Sequence, residues 1–179
     1  LYNTPGIIYM KKDKIIKNNR QEIISDLDNL PLYDYKIFDE QVFYRPYNGE
    51  VVKAIDYELS RGCIYTCSYC VETVIQNYYG FNEASSNGVL LDAKKYLRNK
   101  SSKRIFDEIK LLNSELGIEL FRCQDTNFLS IDKKTLLELA DLIETSNINN
   151  KLYIETRPDG INEKTVKLLK RLNVDGVGM

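Results

Sequence analysis

The sequence predicts an α/β protein built on a parallel sheet, and three observations predict it. From residue 51 onward, strand-like and helix-like segments alternate in the order β-α-β-α-β-α-β. The connections between them are short, which favours parallel strands joined by right-handed crossovers. The residues that carry chemistry fall after the strands: three cysteines after the first, QDTNF after the second and TRPD after the third. In such sheets, ligands sit at the carboxyl ends of the strands. A short irregular N-terminal hairpin and linker, residues 1–50, precedes this unit, which spans 51–179.

The elements are expected as follows. IIYM and KIIK flank the polar turn KKDK and read as a small hairpin. DLDNLPLYDYKIF reads as a linker ending in an extended arm, with Pro31 and Pro46 discouraging long regular elements. VVKAIDYELS is the first strand and runs directly into the cysteines. Residues 71–100 read as irregular, with NYYGFNEASSNG as a loop. SKRIFDEIKLLNSELG is a helix: Ile105, Ile109, Leu112 and Leu116 share a face, and Gly117 marks its stop. IELFRCQ is the second strand. IDKKTLLELADLIETS is the second helix, with Leu136, Leu139, Ala140 and Ile143 on one face and Ser130 as its cap. KLYIET, NEKTVKLLKRL and VDGVGM complete the series as strand, helix and strand, with Asn162 as the last helix's N-cap. The chain opens at Leu1 and closes on a segment that reads as a strand cut short, so a piece of a longer protein is expected.

Composition narrows the function classes. Hydrophobic residues make up 43%, ordinary for a globular domain, and the net charge is −1. Phosphate binding needs a basic face, so nucleic acid is not an expected partner; the runs KKDKIIKNNR and RNKSSKR read as solvated surface. No apolar run approaches the ~20 residues of a membrane span, and no secretion signal is visible. A cytoplasmic location and no membrane contact are expected. The chain has no histidine, which removes the commonest general base and any Cys-His zinc site.

Three of the four cysteines lie within eight residues, Cys63, Cys67 and Cys70, in SRGCIYTCSYC. Thiolates this close in sequence can bind one metal centre together. A structural zinc would need a fourth ligand, for which the distant Cys123 is the available cysteine. A disulfide framework is not expected without secretion signals. An iron–sulfur cube held by three cysteines leaves one iron open to a substrate or cofactor.

The C-x3-C-x2-C spacing after SRG at the end of the first strand, with Tyr69 before the last cysteine, resembles the radical S-adenosylmethionine (radical SAM) enzymes over residues 51–179. The resemblance implies that Cys63, Cys67 and Cys70 ligate a [4Fe-4S] cluster whose fourth iron takes the amino and carboxylate groups of S-adenosylmethionine. It implies one-electron cleavage to a 5′-deoxyadenosyl radical, and it places Tyr69 near the adenine. It also implies a small-molecule substrate and an electron donor such as flavodoxin or ferredoxin. Because the family barrel has six β/α units, this chain would form a partial TIM-like barrel, its first half only. Residues 1–50 look like the tail of a cobalamin-binding domain and its linker, and QDTNF is similar to the D-D-x-F motif of cobalamin-dependent members. Asp125 matches that motif and Thr126 departs from it. Methyl transfer with cobalamin is the implied subclass.

Further assignments follow from strand periodicity. Tyr153, Glu155 and Arg157 share one strand face, so Glu155 and Arg157 are expected at the barrel mouth as a handle for a charged cofactor, Arg157 meeting a carboxylate in bidentate geometry. Phe121, Cys123 and Asp125 share a face expected to line the barrel interior. Cys123 lies too deep along its strand to reach the cluster loop. Two other function classes stay open beside the enzyme: an iron–sulfur electron carrier, and a zinc-stabilised binding module completed by Cys123.

Overall fold

A computed structural model of the chain describes residues 2–146 and 148–179; Leu1, and Asn147 of the TSNINN loop, lie outside them. In chain order the strands and helices are β1 (Ile8–Lys11), β2 (Lys14–Lys17), β3 (Tyr44–Tyr47), β4 (Glu50–Tyr57), β5 (Ser60–Arg61), α1 (Val71–Tyr79), α2 (Ala93–Tyr96), β6 (Arg98–Asn99), α3 (Ser102–Leu116), β7 (Leu120–Cys123), α4 (Lys133–Glu144), β8 (Lys151–Glu155), α5 (Glu163–Arg171) and β9 (Val174–Gly178).

The central sheet has the order β3-β4-β7-β8-β9. Its last four strands are parallel and sequential, as the alternation predicts. Strand β3 adds an antiparallel edge that the sequence reading assigned to the linker. Pro46 lies in it, at an edge, where a missing N–H costs least. The 50/51 boundary therefore falls one residue inside β4, just past the hairpin turn at Asn48 and Gly49. Part of the linker is packed as well, with Leu27 and Phe43 buried. The N-terminal hairpin forms as expected, through a turn at Lys12 and Asp13, both at positive φ.

Helices α3, α4 and α5 lie side by side on one face of the sheet. Ile105, Ile109, Leu136, Leu139, Leu168 and Leu169 meet Ile55, Phe121, Leu152 and Ile154 of the strands. Burial of this apolar face is the main stabilising contribution. Ser101 caps α3 by accepting from the Arg104 N–H, and Gly117 ends it at φ +66°. Asn162 and Thr165 form a reciprocal capping box on α5. The cap of α4 is Asp132, not Ser130: the Asp132 carboxylate accepts from the Thr135 N–H, while the Ser130 hydroxyl accepts from Asn127. One buried charge cluster ties α3 to β4. The Glu108 carboxylate accepts from Lys100 Nζ (2.7 Å), Tyr57 Oη (2.5 Å) and Arg104 Nε (2.5 Å).

Two expectations are corrected. Residues 71–100 are irregular only in part: 80–92 form a loop as expected, but α1, α2 and β6 flank it, with β6 paired to β5. Phe121 and Cys123 do not line the inner face. Both belong to the core against the helices, because Arg122 takes the opposite side, with Asp56 and Tyr153 as neighbours. That opposite face is polar and aromatic, with Asp56, Arg122, Tyr153 and Glu155.

The sheet is curled. Flat, it would hold β3 and β9 four spacings apart, about 19 Å. Instead the Tyr47 ring lies 6.4 Å from the Tyr153 ring of β8, and its hydroxyl reaches over to Gly176 of β9. A Cβ at Gly176 would lie 2.6 Å from that hydroxyl and 2.7 Å from the Tyr153 ring, so glycine is what admits the contact.

Candidate functional site

The cysteine loop starts where β4 ends. After β5 the chain turns at Gly62, φ +97°, where a Cβ would stand 2.7 Å from the Tyr96 carbonyl oxygen. Only glycine fits such a turn without displacing backbone. Cys63 follows and is 7% exposed; Cys67 and Cys70 are half-buried. Cys70 is the N-cap residue of α1, which joins the end of the loop directly to that helix. Burial pushes the Cys63 thiol pKa up, and the Tyr65 N–H at 3.5 Å pulls the other way.

The loop is tied down on three sides. Gln76 of α1, fully buried, donates from Nε2 to the carbonyls of Cys63 and Tyr65, both at 2.9 Å. Thr73 Oγ1 and the Cys70 N–H both donate to the Cys67 carbonyl. The Thr66 N–H donates to Gly88, and Leu90 N–H to Ile64, so the 83–91 segment braces the loop from outside. None of these ties was visible from strand and helix periodicity.

Asp125 sits at the root of the loop. Its carboxylate accepts from the N–H of Leu59, the N–H of Ser60 (2.6 Å) and Ser60 Oγ (2.5 Å). It is 2% exposed, and burial pushes its pKa up to about 6 against the pull of those donors. It therefore fixes the exit of β4. Asn127 performs the next tie: its Oδ1 accepts from Thr156 Oγ1 (2.7 Å) and the Arg157 N–H (3.3 Å), joining the loop after β7 to the loop after β8.

Arg157 reaches the cysteines. Its NH1 lies 3.6 Å from Cys67 Sγ, and its guanidinium carbon is 4.2 Å from the Tyr65 ring centre. Asp159 takes the Nε and NH2 edge at 3.1 and 3.0 Å, which holds the arginine firmly protonated. Glu155 is exposed on the inner face, packed beside Gly178. Tyr69 is 89% exposed, with its ring in solvent. Cys123 is buried on the helix side, its thiol donating to the Phe121 carbonyl at 3.8 Å.

Among the described residues, no three His, Cys, Asp or Glu side chains gather closely enough to hold a single metal ion. A zinc site needs all its sulfurs about 2.3 Å from one point. A cube binds each thiolate at a different iron, so its sulfurs stand apart. Three thiols on one braced loop, with no histidine and one guanidinium beside them, fit a [4Fe-4S] group in donor chemistry.

No family model matches the chain, and no curated protein matches it. Among solved structures, it is similar over 99% of its length to the cobalamin-dependent S-adenosylmethionine radical enzyme OxsB, with a TM-score of 0.60 and 16% identity, covering 23% of that chain. OxsB with aqua-cobalamin and S-adenosylmethionine bound gives 0.63 and 13%, over 100% of this chain and 24% of the other. The radical S-adenosylmethionine methyltransferase TsrM from Kitasatospora setae, with cobalamin and a [4Fe-4S] cluster bound, gives 0.60 and 19%, over 98% and 32%. The chain thus spans about a quarter to a third of the length of these structures, and what it shares with them at this identity is the fold.

Proposed function

We propose that this chain is part of a radical SAM enzyme and that Cys63, Cys67 and Cys70 hold its [4Fe-4S] cluster. The observation that carries the reading is the C-x3-C-x2-C loop at the carboxyl end of β4, with Arg157 of the loop after β8 against Cys67. When bound, the cluster supplies one electron to the sulfonium of S-adenosylmethionine, giving methionine and a 5′-deoxyadenosyl radical.

The chain's own residues have distinct tasks in this reading. Gln76, Thr73 and the 83–91 segment fix the loop that presents the sulfurs. Asp125 and Asn127 set the loop's root and its partner loop, acting on the cofactor through position. Tyr69 and Glu155, both exposed, are assigned to S-adenosylmethionine, Tyr69 to the adenine. The curled parallel sheet supports the first half of a β/α barrel over 51–179, and residues 1–50 as the tail of a cobalamin-binding domain and its linker. The fold shared with OxsB and TsrM supports cobalamin-dependent methyl transfer to a small molecule as the subclass. A flavodoxin- or ferredoxin-type donor and a cytoplasmic location complete the reading; among the described residues no helix is long and apolar enough to cross a membrane.

Anaerobic reconstitution tests the proposal. The full chain is expected to hold about four irons and four sulfides. Changing Cys63, Cys67 or Cys70 to Ala is expected to abolish this, and Cys123→Ala to leave it intact. Stoichiometric zinc that resists replacement by iron favours the binding-module reading instead, and iron lost in the Cys123 variant favours a four-cysteine iron–sulfur site.

A further inference from the structure

Arg157 is held in a manner that leaves one group free to act. Asp159 occupies its Nε and NH2 edge, and the Tyr65 ring covers its face at 4.2 Å. The remaining NH1 is directed at Cys67 Sγ, 3.6 Å away. Its backbone N–H is also fixed, donating to Asn127 Oδ1. An arginine needed only to pair with Asp159 on the surface would gain little from that arrangement, since exposed ion pairs contribute about 0–1 kcal/mol. Both Tyr65 and Cys67 belong to the cysteine loop, so two of the guanidinium's three contacts lie on the proposed cluster site.

We infer that Arg157 is a positioning residue that donates to the Cys67 thiolate and raises the reduction potential of the cluster. The inference rests on the reading of the three cysteines as cluster ligands. Reduction adds one negative charge to the cluster and its thiolates. A fixed cation and an N–H donor at one sulfur favour the more negative state, and hydrogen bonds to sulfur are among the groups that set such potentials. Asp159 orients the guanidinium, and Tyr65 keeps it on the loop. The expected use of Arg157 as a bidentate clamp for a cofactor carboxylate is displaced, because Asp159 already occupies its forked edge.

The test is an EPR-monitored redox titration of the anaerobically reconstituted full chain, without substrate. Arg157→Gln is expected to hold as much iron as wild type and to show a more negative midpoint potential. Arg157→Lys, which keeps the charge and loses the fork, is expected to fall between the two. Arg171→Gln is the control for net charge: this arginine pairs with Asp141 and Glu144 on the helix layer, and its loss should leave the midpoint unmoved. Equal midpoints in wild type and Arg157→Gln, with clusters present in both, overturn the inference while leaving the proposed function standing. Loss of the cluster in both Arg157 variants also overturns it, since the arginine would then be needed for assembly. A wild-type chain that takes up no cluster is a different result, and it overturns the proposed function first.

Discussion

Asp125 is a carboxylate removed from water and fed by three donors, all from the two residues that lead out of β4. Burial and hydrogen bonding pull its pKa in opposite directions, and burial wins, placing it at about 6 against an ordinary 3.8. The folded carboxyl therefore keeps its proton to higher pH than the unfolded one. Between about pH 4 and 6 the folded state binds more protons, so stability falls as pH rises through that window. The gap corresponds to roughly 3 kcal/mol as an order of magnitude. Urea unfolding across pH 4 to 7 should show this decline in wild type and a flatter profile in Asp125→Asn, which cannot ionise. Identical profiles would mean that the donors outweigh burial and that the carboxylate is ionised throughout. Replacement by Ala leaves the Leu59 and Ser60 donors buried without an acceptor and should cost about 2–4 kcal/mol.

Helix α1 decides the geometry of the cysteine loop and was the element least legible in the sequence. Its apolar residues Val71, Val74 and Tyr78 are exposed, while its fully buried position is Gln76, which serves backbone carbonyls rather than a core. A periodicity reading looks for an apolar buried face, so this helix is invisible to it. Helices α3, α4 and α5 were legible because their apolar stripes face the sheet. The cysteine spacing and the glycine before it were legible for a further reason: loop chemistry needs those residue types wherever the loop packs. Gly62 gives the sharpest test of this element. At φ +97°, with 2.7 Å between a new Cβ and the Tyr96 carbonyl oxygen, Gly62→Ala is expected to cost roughly 2–3 kcal/mol. It should also expose Cys63, so alkylation of that thiol by iodoacetamide should become faster. Unchanged stability together with a still-protected Cys63 would show that the loop tolerates another path. Strand β3 escaped the reading for a simpler reason. A four-residue edge strand containing proline, YRPY, has neither the length nor the alternation of a strand pattern, and only its pairing with β4 defines it.

At the scale of the molecule, the curl of the sheet sets which residues can meet. Parallel strands twist by their own sterics, and a sheet of five can roll far enough for its edges to approach. Here one side chain bridges the roll: Tyr47 of β3 meets Tyr153 of β8 and Gly176 of β9 across the inner face. Burial and Asp175 together push its hydroxyl up to about 12. The same roll directs the carboxyl ends of β4 and β8 towards each other, which is how the loops bearing Cys67 and Arg157 come into contact although β7 lies between their strands. If Tyr47 pins the curl, Tyr47→Ala should destabilise the chain by about 2 kcal/mol, well beyond the ±0.5 kcal/mol of an ordinary surface change. Tyr47→Phe should recover most of that loss, because the ring contact with Tyr153 remains and only the hydroxyl is removed. Thermal unfolding of the two variants distinguishes the cases. A Tyr47→Ala protein that unfolds at the wild-type temperature would mean the backbone alone maintains the curl, and the meeting of the two loops would then owe nothing to this residue.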